Sequence, residues 1–78
     1  MHQFYVQFHS LRDVMDFVSL ASRQKLRLIV GGDRFQVNAT SFMSIFALNC
    51  RSRQRVTVSC TEEELQNLLV IFERFLAE

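Results

Sequence analysis

Cysteine is scarce in this chain of 78 residues, which contains only Cys50 and Cys60. Their spacing matches neither the closely spaced cysteines of zinc and redox motifs nor the cysteine density of a small disulfide-stapled protein. We therefore expect two reduced thiols, with a bridge between them as the alternative. His2 and His9 do not complete a metal-ligand set with these cysteines, so we expect neither a metal nor a cofactor.

The chain also lacks a strong excess of positive or negative charge, and it lacks long apolar runs. Nine Lys and Arg against eight Asp and Glu leave a formal net charge of +1, which excludes a polyelectrolyte binder at the level of the whole chain. The longest apolar-rich stretches, residues 41–48 and 65–76, are interrupted by polar residues and are too short to span a bilayer. The first three residues lack the basic start and the apolar run of a signal peptide.

Large apolar side chains, in contrast, are abundant. Hydrophobic residues make up 49% of the chain, and eight residues are Phe. A chain this short needs them, because it buries only about 60% of its unfolded surface. There is no repeat, linker or low-complexity segment, and we expect a single domain over residues 1–78.

Hydrophobic periodicity predicts the order of the structural elements. Alternating apolar residues predict strands over residues 4–8, 25–30, 34–37 and 55–60. Steps of three and four residues predict a helix after Ser10, a brief helix over residues 41–48 and a third helix over residues 62–76. The second helix is the least distinct, because Phe and Ile at that density also suit a strand.

Local signals mark where these elements begin and end. Ser10 is the predicted N-cap of the first helix, and the helix dipole favours Asp13 in its first turn. Thr61 and Glu64 form a predicted capping box at the start of the third helix. Gly31-Gly32-Asp33 is the predicted hairpin turn between the second and third strands.

The same periodicities divide the side chains between a core and a solvent face. Predicted inward positions include Leu11, Met15, Phe35, Cys60 and Leu76. The outward positions of the strands are polar, apart from one tyrosine: Tyr5, Gln7, Lys25, Arg27, Arg34, Gln36, Arg55 and Thr57. We therefore expect an α+β fold of the open-faced β-sandwich type. It has a four-stranded, mainly antiparallel sheet with three helices on one face, in the order βαββαβα.

Residues 37–49 read VNATSFMSIFALN, and Ala21-Ser22-Arg23 precede them. Together these segments resemble the HPr family, the histidine-containing phosphocarriers of the bacterial sugar phosphotransferase system. About a dozen residues carry the specific likeness, while the order of elements is similar over nearly the whole chain. The resemblance implies a bacterial cytoplasmic domain of the phosphocarrier family. The chain shows no close set of nucleophile, base and orienting group, so we do not expect an enzyme.

In that family, a histidine at the mouth of the first helix carries the phosphate and is followed by Ala-Arg-Pro. Counted back from Ala21, the histidine position falls here on Ser10. Arg12 matches the arginine and is the candidate phosphate contact, whereas Leu11 and Asp13 replace the alanine and the proline.

This replacement changes the chemistry at the helix start. A phospho-imidazole passes its phosphate on reversibly, whereas a serine phosphate ester is too stable to do so. The acidic Asp13 would also repel an incoming phosphoryl group. We therefore expect ordinary histidine phosphotransfer to be lost. The alternative is an active phosphocarrier that uses His9, because a shortened turn before the helix leaves the register open by one residue.

The resemblance also assigns roles in the second helix. Ser41 matches the family's regulatory serine, which a dedicated kinase phosphorylates in some bacteria. The alternative is that Ser41, or Thr40, only caps the helix. Phe42, Met43 and Phe46 match positions where the family presents apolar residues to partner proteins. A helix this short cannot bury so many large side chains, so an exposed cluster is expected.

These residues predict a protein-binding or regulatory module related to the sugar phosphotransferase system, with a protein partner and no membrane. RNA binding is a further alternative, on a basic sheet face formed by Lys25, Arg27, Arg34 and Arg55 with Tyr5 for stacking. The nearly neutral charge and the single aromatic residue in phase argue against nucleic acid as a partner.

Overall fold

Strands and helices follow one another in the predicted order. The computed structural model describes residues 1–32, 34–48 and 52–77. Its strands are β1 (His2–Val6), β2 (Leu28–Gly31), β3 (Gln36–Asn38) and β4 (Gln54–Val58). Its helices are α1 (Leu11–Ser22), α2 (Phe42–Phe46) and α3 (Glu62–Ile71). A 3₁₀ turn, Glu73–Phe75, follows α3.

The strands of the described residues form one antiparallel sheet in the order β1-β4-β2-β3. Val56 of β4 faces Phe4 of β1 on one side and Val30 of β2 on the other, and Val30 in turn faces Val37 of β3. This apolar row packs in one cluster with inward residues of all three helices. The α+β fold with an open sheet face is therefore confirmed, and its cause is the alternation of apolar and polar residues along each strand.

Aromatic rings form the centre of the core. The ring of Phe17, on α1, lies 5.1 Å from the ring of Phe8, 5.1 Å from Phe72 and 5.7 Å from Phe75 between centroids. All four side chains are buried. Each buried phenylalanine contributes about 1.5–3 kcal/mol by its removal from water. The cluster thus ties the start of α1 to the end of the chain.

Both predicted helix caps are confirmed. Ser10 has extended backbone angles, and its Oγ accepts a hydrogen bond from the Asp13 N–H at 3.2 Å. Thr61 Oγ1 accepts from the Glu64 N–H at 3.1 Å, and Glu64 Oε1 accepts from the Thr61 N–H at 2.9 Å. These bonds satisfy N–H groups that have no partner within the helix.

The third helix is shorter than predicted, because it ends at Ile71 instead of continuing to Leu76. After the 3₁₀ turn the chain becomes extended and runs along the free edge of β1. The Ala77 N–H donates to the Tyr5 carbonyl at 2.9 Å, and the Gln7 N–H donates to the Phe75 carbonyl at 2.9 Å. Leu76 is consequently 40% exposed instead of buried.

The hairpin between β2 and β3 also differs from the prediction. Gly31 is the last residue of β2 and pairs with Gln36, so the loop runs over residues 32–35. Asp33, the last residue of the predicted turn, lies outside the described residues. Phe35 precedes β3 and is 63% exposed, so its predicted inward position is wrong. β2 begins at Leu28, later than the predicted start at residue 25.

Two further inward predictions, Leu11 and Met15 on α1, are wrong. Their side chains are 51% and 48% exposed, respectively. The neighbouring helix α2 has only five residues and leaves this flank of α1 largely uncovered. Cys60 lies beyond the end of β4 and is half-buried against the core. Cys50 lies outside the described residues, so the reduced state of the two thiols stays a prediction. Among the described helices, none is long and apolar enough to cross a membrane.

Candidate functional site

The junction of β1 and α1 holds His9, the candidate phosphate acceptor, and Ser10, which stands at the histidine position of the resembled family. Phe8 is buried and anchors the chain, and His9 and Ser10 follow it on the surface. Ser10 Oγ is already used as the helix cap through its hydrogen bond from the Asp13 N–H. His9 lies outside the helix, one residue before the cap.

Asp13 connects this junction to the rest of the site. Its Oδ2 accepts a hydrogen bond from the His9 N–H at 2.9 Å, and its Oδ1 lies 2.7 Å from Arg74 Nη2. The hydrogen bond from His9 lowers the pKa of the Asp13 carboxyl below its ordinary value, and Arg74 lowers it further, against partial burial that raises it. The Asp13 carboxylate therefore places a negative charge at the N-terminus of α1, where the helix dipole favours an anion.

Arg12, the candidate phosphate contact, belongs to the same array of charges. Its Nε lies 3.5 Å from Asp16 Oδ1, one helical turn on, and its side chain is 77% exposed. Arg74 also pairs with Asp16, with Nη1 3.0 Å from Oδ2. Two arginines and two aspartates thus cover the first turns of α1, and their charges balance.

Arg74 is the member of this site that the sequence reasoning missed. It lies 61 residues from Asp13 and 58 from Asp16, on the 3₁₀ turn after α3. Its guanidinium also lies over the ring of Phe75, 4.7 Å from the centroid. No local pattern marks a single arginine near the end of a helix, because its partners come close only when Phe75 packs into the core.

A cleft of about 410 Å³ opens beside the junction. Its walls are formed by His9, Ser10 and Leu11 on one side and by Phe46 of α2 on the other, with Phe8 and Val14 among the remaining lining residues. The fold thus brings together the predicted acceptor region and one of the predicted partner-binding residues, which are far apart in sequence.

The second helix supplies the other predicted site residues. The rings of Phe42 and Phe46 stack with centroids 5.9 Å apart, and Phe42 is half-buried. Met43 is 72% exposed and Phe46 is 53% exposed. Leu11 of α1 lines the cleft together with Phe46, and Met15 lines a second hollow together with Phe42. We name these apolar residues and Met43 the α1–α2 face: Leu11, Met15, Phe42, Met43 and Phe46.

Ser41 stands at the N-cap position of α2, but its side chain makes no capping hydrogen bond. Its hydroxyl donates to Ser44 Oγ at 2.8 Å, while Thr40 Oγ1 donates to Asn38 Oδ1 at 2.8 Å. Ser41 is thus the N-cap residue of α2, as the alternative predicts, but its hydroxyl does not supply the capping hydrogen bond that was the reason for expecting it there. Phosphorylation of Ser41 stays a prediction.

Of the four basic residues predicted for the open sheet face, only Arg55 lies in a strand, whereas Lys25, Arg27 and Arg34 lie outside the strands and Lys25 lines a groove beside α3. Lys25, Arg27 and Arg34 are exposed and Arg55 is half-buried. The Arg53 guanidinium lies over the Tyr5 ring, 4.9 Å from the centroid. An arginine of the same chain thus covers one face of the aromatic residue that the RNA-binding alternative needs for stacking.

Comparison with known proteins gives a match that runs from the start of the first helix through the rest of the fold. The sequence model of one family, described as the PTS HPr component phosphorylation site, matches residues 9–78. The chain belongs to the HPr family. The match confirms the resemblance carried by residues 37–49, and it includes both His9 and Ser10.

Solved structures show the same relationship. HPr-C-His from Thermoanaerobacter tengcongensis is similar to this chain, with 26% identity and a TM-score of 0.70, and the match covers 92% of this chain and 90% of that chain. No curated protein matches the chain. HPr-family proteins are phosphocarriers and not enzymes themselves. Among the described residues of this HPr-family domain, no three His, Cys, Asp or Glu side chains come close enough to hold a metal ion.

Proposed function

We propose that this HPr-family domain acts by binding a protein partner through the α1–α2 face and does not relay phosphate through a histidine. The start of α1 is the observation that carries the proposal. There, the hydroxyl of Ser10 occupies the N-cap, and the carboxylate of Asp13 accepts the His9 N–H. The partner belongs to, or regulates, the sugar phosphotransferase system in the cytoplasm.

Charge balance argues against phosphotransfer at this helix start. A transferred phosphoryl group brings about −1.5 to −2 charges and needs donors and positive charge around it. Here Arg12 is paired with Asp16, and Arg74 is shared between Asp13 and Asp16. The charges of the four side chains sum to zero. The Asp13 carboxylate also accepts the His9 N–H, a donor that a phosphoryl group would otherwise need.

The identity of the capping atom supports the same conclusion. A phosphoryl group on an imidazole nitrogen forms a labile P–N bond, so it can be passed on to an acceptor. A phosphoryl group on Ser10 Oγ would form a stable ester that is not passed on, whereas the free hydroxyl oxygen already caps α1. Ser10 thus suits a structural role better than a carrier role.

The α1–α2 face has the character of a protein-binding surface. Leu11, Met15, Met43 and Phe46 are each about half exposed or more. Exposed apolar patches with charged residues beside them are typical of interaction sites. Arg12, with its side chain 77% exposed, supplies the charged rim on the α1 side.

A phosphorylation assay tests the first part of the proposal. The chain is incubated with labelled phosphoenolpyruvate and the first enzyme of the phosphotransferase system, with a histidine-bearing HPr as positive control. We expect no acid-labile label on this chain. Label that appears on the wild-type chain and is lost in His9→Asn would overturn the proposal and establish His9 as the acceptor.

Two variants make the assay informative about the cause. Ser10→His restores the family's nucleophile at the helix start, and Ser10→His with Asp13→Pro also removes the competing carboxylate. We expect more acid-labile label on the double variant than on the single one. Equal label on both would show that Asp13 does not oppose the phosphoryl group.

A binding assay tests the second part. The isotope-labelled chain is titrated with the same first enzyme, and the amide resonances of the α1–α2 face are followed. Phe46→Lys should abolish the shifts, whereas Phe35→Lys, an equally drastic change at another exposed phenylalanine, should not. Shifts confined to other residues would contradict the proposed face.

A further inference from the structure

We propose that this domain has a second protein-binding surface, at the opposite end of α1, which takes an acidic segment of another protein carrying one large apolar side chain. The surface is a groove of about 630 Å³ between the segment that follows α1 and the helix α3. We name it the α3 groove, and its lining includes Arg23, Lys25, Leu26, Asn67, Val70 and Ile71. The inference does not depend on the proposed function.

The wall of the groove is apolar although it faces solvent. Val70 is 72% exposed and Ile71 is 39% exposed, while Leu26 is half-buried opposite them. Leu68, buried at 2% exposure, lies among the lining residues. Val70 is as exposed as Met43, the most exposed residue of the α1–α2 face. A concave groove of this kind can surround a single large apolar side chain, which a flat surface cannot do.

The charges at the rim indicate what accompanies that side chain. Arg23 and Lys25 are both exposed, and neither lies within 4.0 Å of a carboxylate among the described residues. Glu64, the acidic residue that lines the groove, accepts the Thr61 N–H in the helix cap. Two cations therefore stand at one end of an apolar groove, which complements carboxylates next to the apolar anchor of a partner.

A second copy of the chain fits this groove poorly. A symmetric contact would bring the Arg23 and Lys25 side chains of both copies to one interface, where like charges repel. The exposed apolar surface also comes from only three side chains, whereas a stable dimer buries about 800 Å² on each partner. A short segment of a different protein avoids both problems.

The groove is separate from the α1–α2 face. α1 has 12 residues and is about 18 Å long, with Ser10 at one end and Arg23 at the other. A partner on the α1–α2 face would leave the α3 groove open. The domain can therefore hold two partners at once.

A peptide titration tests the proposal on the full chain. The probe is a synthetic peptide, Asp-Glu-Phe-Asp-Glu flanked by Gly-Ser, and the controls replace its Phe by Ala or all its acids by Lys. We expect amide shifts at Leu26, Val70 and Ile71 with the acidic Phe peptide only. The shifts should weaken at high salt, because exposed charges are screened.

Charge reversal in the chain provides the matched control. Lys25→Glu should weaken the binding of the acidic Phe peptide about three- to tenfold, whereas Arg27→Glu, the same change at an exposed cation outside the groove, should not. Both positions are exposed, and unchanged spectra elsewhere establish that the variants fold.

Several results would overturn the inference. These are equal binding of the Ala or Lys peptide, shifts on the α1–α2 face instead of the groove, and no shift with any peptide. Shifts at Val70 and Ile71 that depend on the concentration of the chain alone would assign the groove to a second copy and overturn it as well.

Discussion

Replacing Gly31 with alanine should destabilise the chain far more than the same replacement at Gly32. Gly31 has a φ of +136°, a conformation that residues with a side chain rarely adopt. A Cβ at this position would overlap the carbonyl oxygen of Phe35 and lie 3.1 Å from the Cα of Gln36. These are backbone atoms of β3 and of the loop just before it, so they cannot turn aside as a flexible side chain would.

The magnitude follows from two contributions. A residue with a Cβ in such a conformation is strained by about 1–3 kcal/mol. Moving the Phe35 carbonyl away also weakens pairing between Gly31 and Gln36, at about 1 kcal/mol for each hydrogen bond lost. We expect a loss of roughly 3 kcal/mol, a large part of the total stability of about 5 kcal/mol at the low end of the range for small domains.

Gly32→Ala is the matched control, because nothing lies within 4 Å of a Cβ at Gly32. We expect its free energy of unfolding to change by less than about 1 kcal/mol. Urea unfolding followed by circular dichroism gives both values, provided that the m-value stays the same. Equal losses in the two variants would refute the reasoning, since they would mean that the close approach at Gly31 does not exist.

Three further predictions concern the core, a helix cap and the acid limb of stability. Phe17→Ala should cost about 3–5 kcal/mol in urea unfolding, because it empties the centre of the aromatic cluster, whereas Phe35→Ala at a 63% exposed side chain should change little. Thr61→Ala should cost about 1 kcal/mol, since it removes the acceptor for the Glu64 N–H, and a neutral result would contradict the cap. The pKa of Asp13 is lowered from 3.8 on folding, so the unfolded chain binds more protons in the range just below that value. The stability contributed by Asp13 is complete above this range and is lost as the pH falls through it. Asp13→Asn should therefore flatten the acid limb of unfolding midpoints measured against pH, and an unchanged limb would rule out Asp13 as its source.

The order of the elements and both helix caps could be predicted because they depend on residues close in sequence. Ser10 binds the N–H three residues on, and Thr61 and Glu64 satisfy each other over the same distance. The alternation of side chains along a strand likewise assigns each residue to one of the two faces of the sheet. Such signals act before any tertiary contact forms, so the sequence carries them directly.

Periodicity failed where a strand begins later, or a helix ends earlier, than the pattern predicts. Phe35 has the right spacing for an inward strand residue, but the pairing of Gly31 with Gln36 places it in the loop. Leu76 continues the helical stripe, but the packing of Phe75 and the edge of β1 turn the chain out of the helix first. In both cases pairing with another strand decided the boundary.

The candidate site divides in the same way. The resemblance of residues 37–49 and 21–23 identified the positions of Ser10, Arg12 and Phe46, and the family match confirms the relationship. Arg74 had no such signal. Its link to Asp13 and Asp16 arises because the chain end folds back onto α1.

The sequence by itself determined the α+β class, the order of the elements, the two caps and the family, because each depends on local spacing or on a short pattern of residue types. Only the tertiary structure decided which apolar side chains stay exposed and which arginine meets Asp13. Those outcomes depend on how much of α1 a five-residue helix covers and on where the last residues return to β1, and neither quantity is encoded in any single segment.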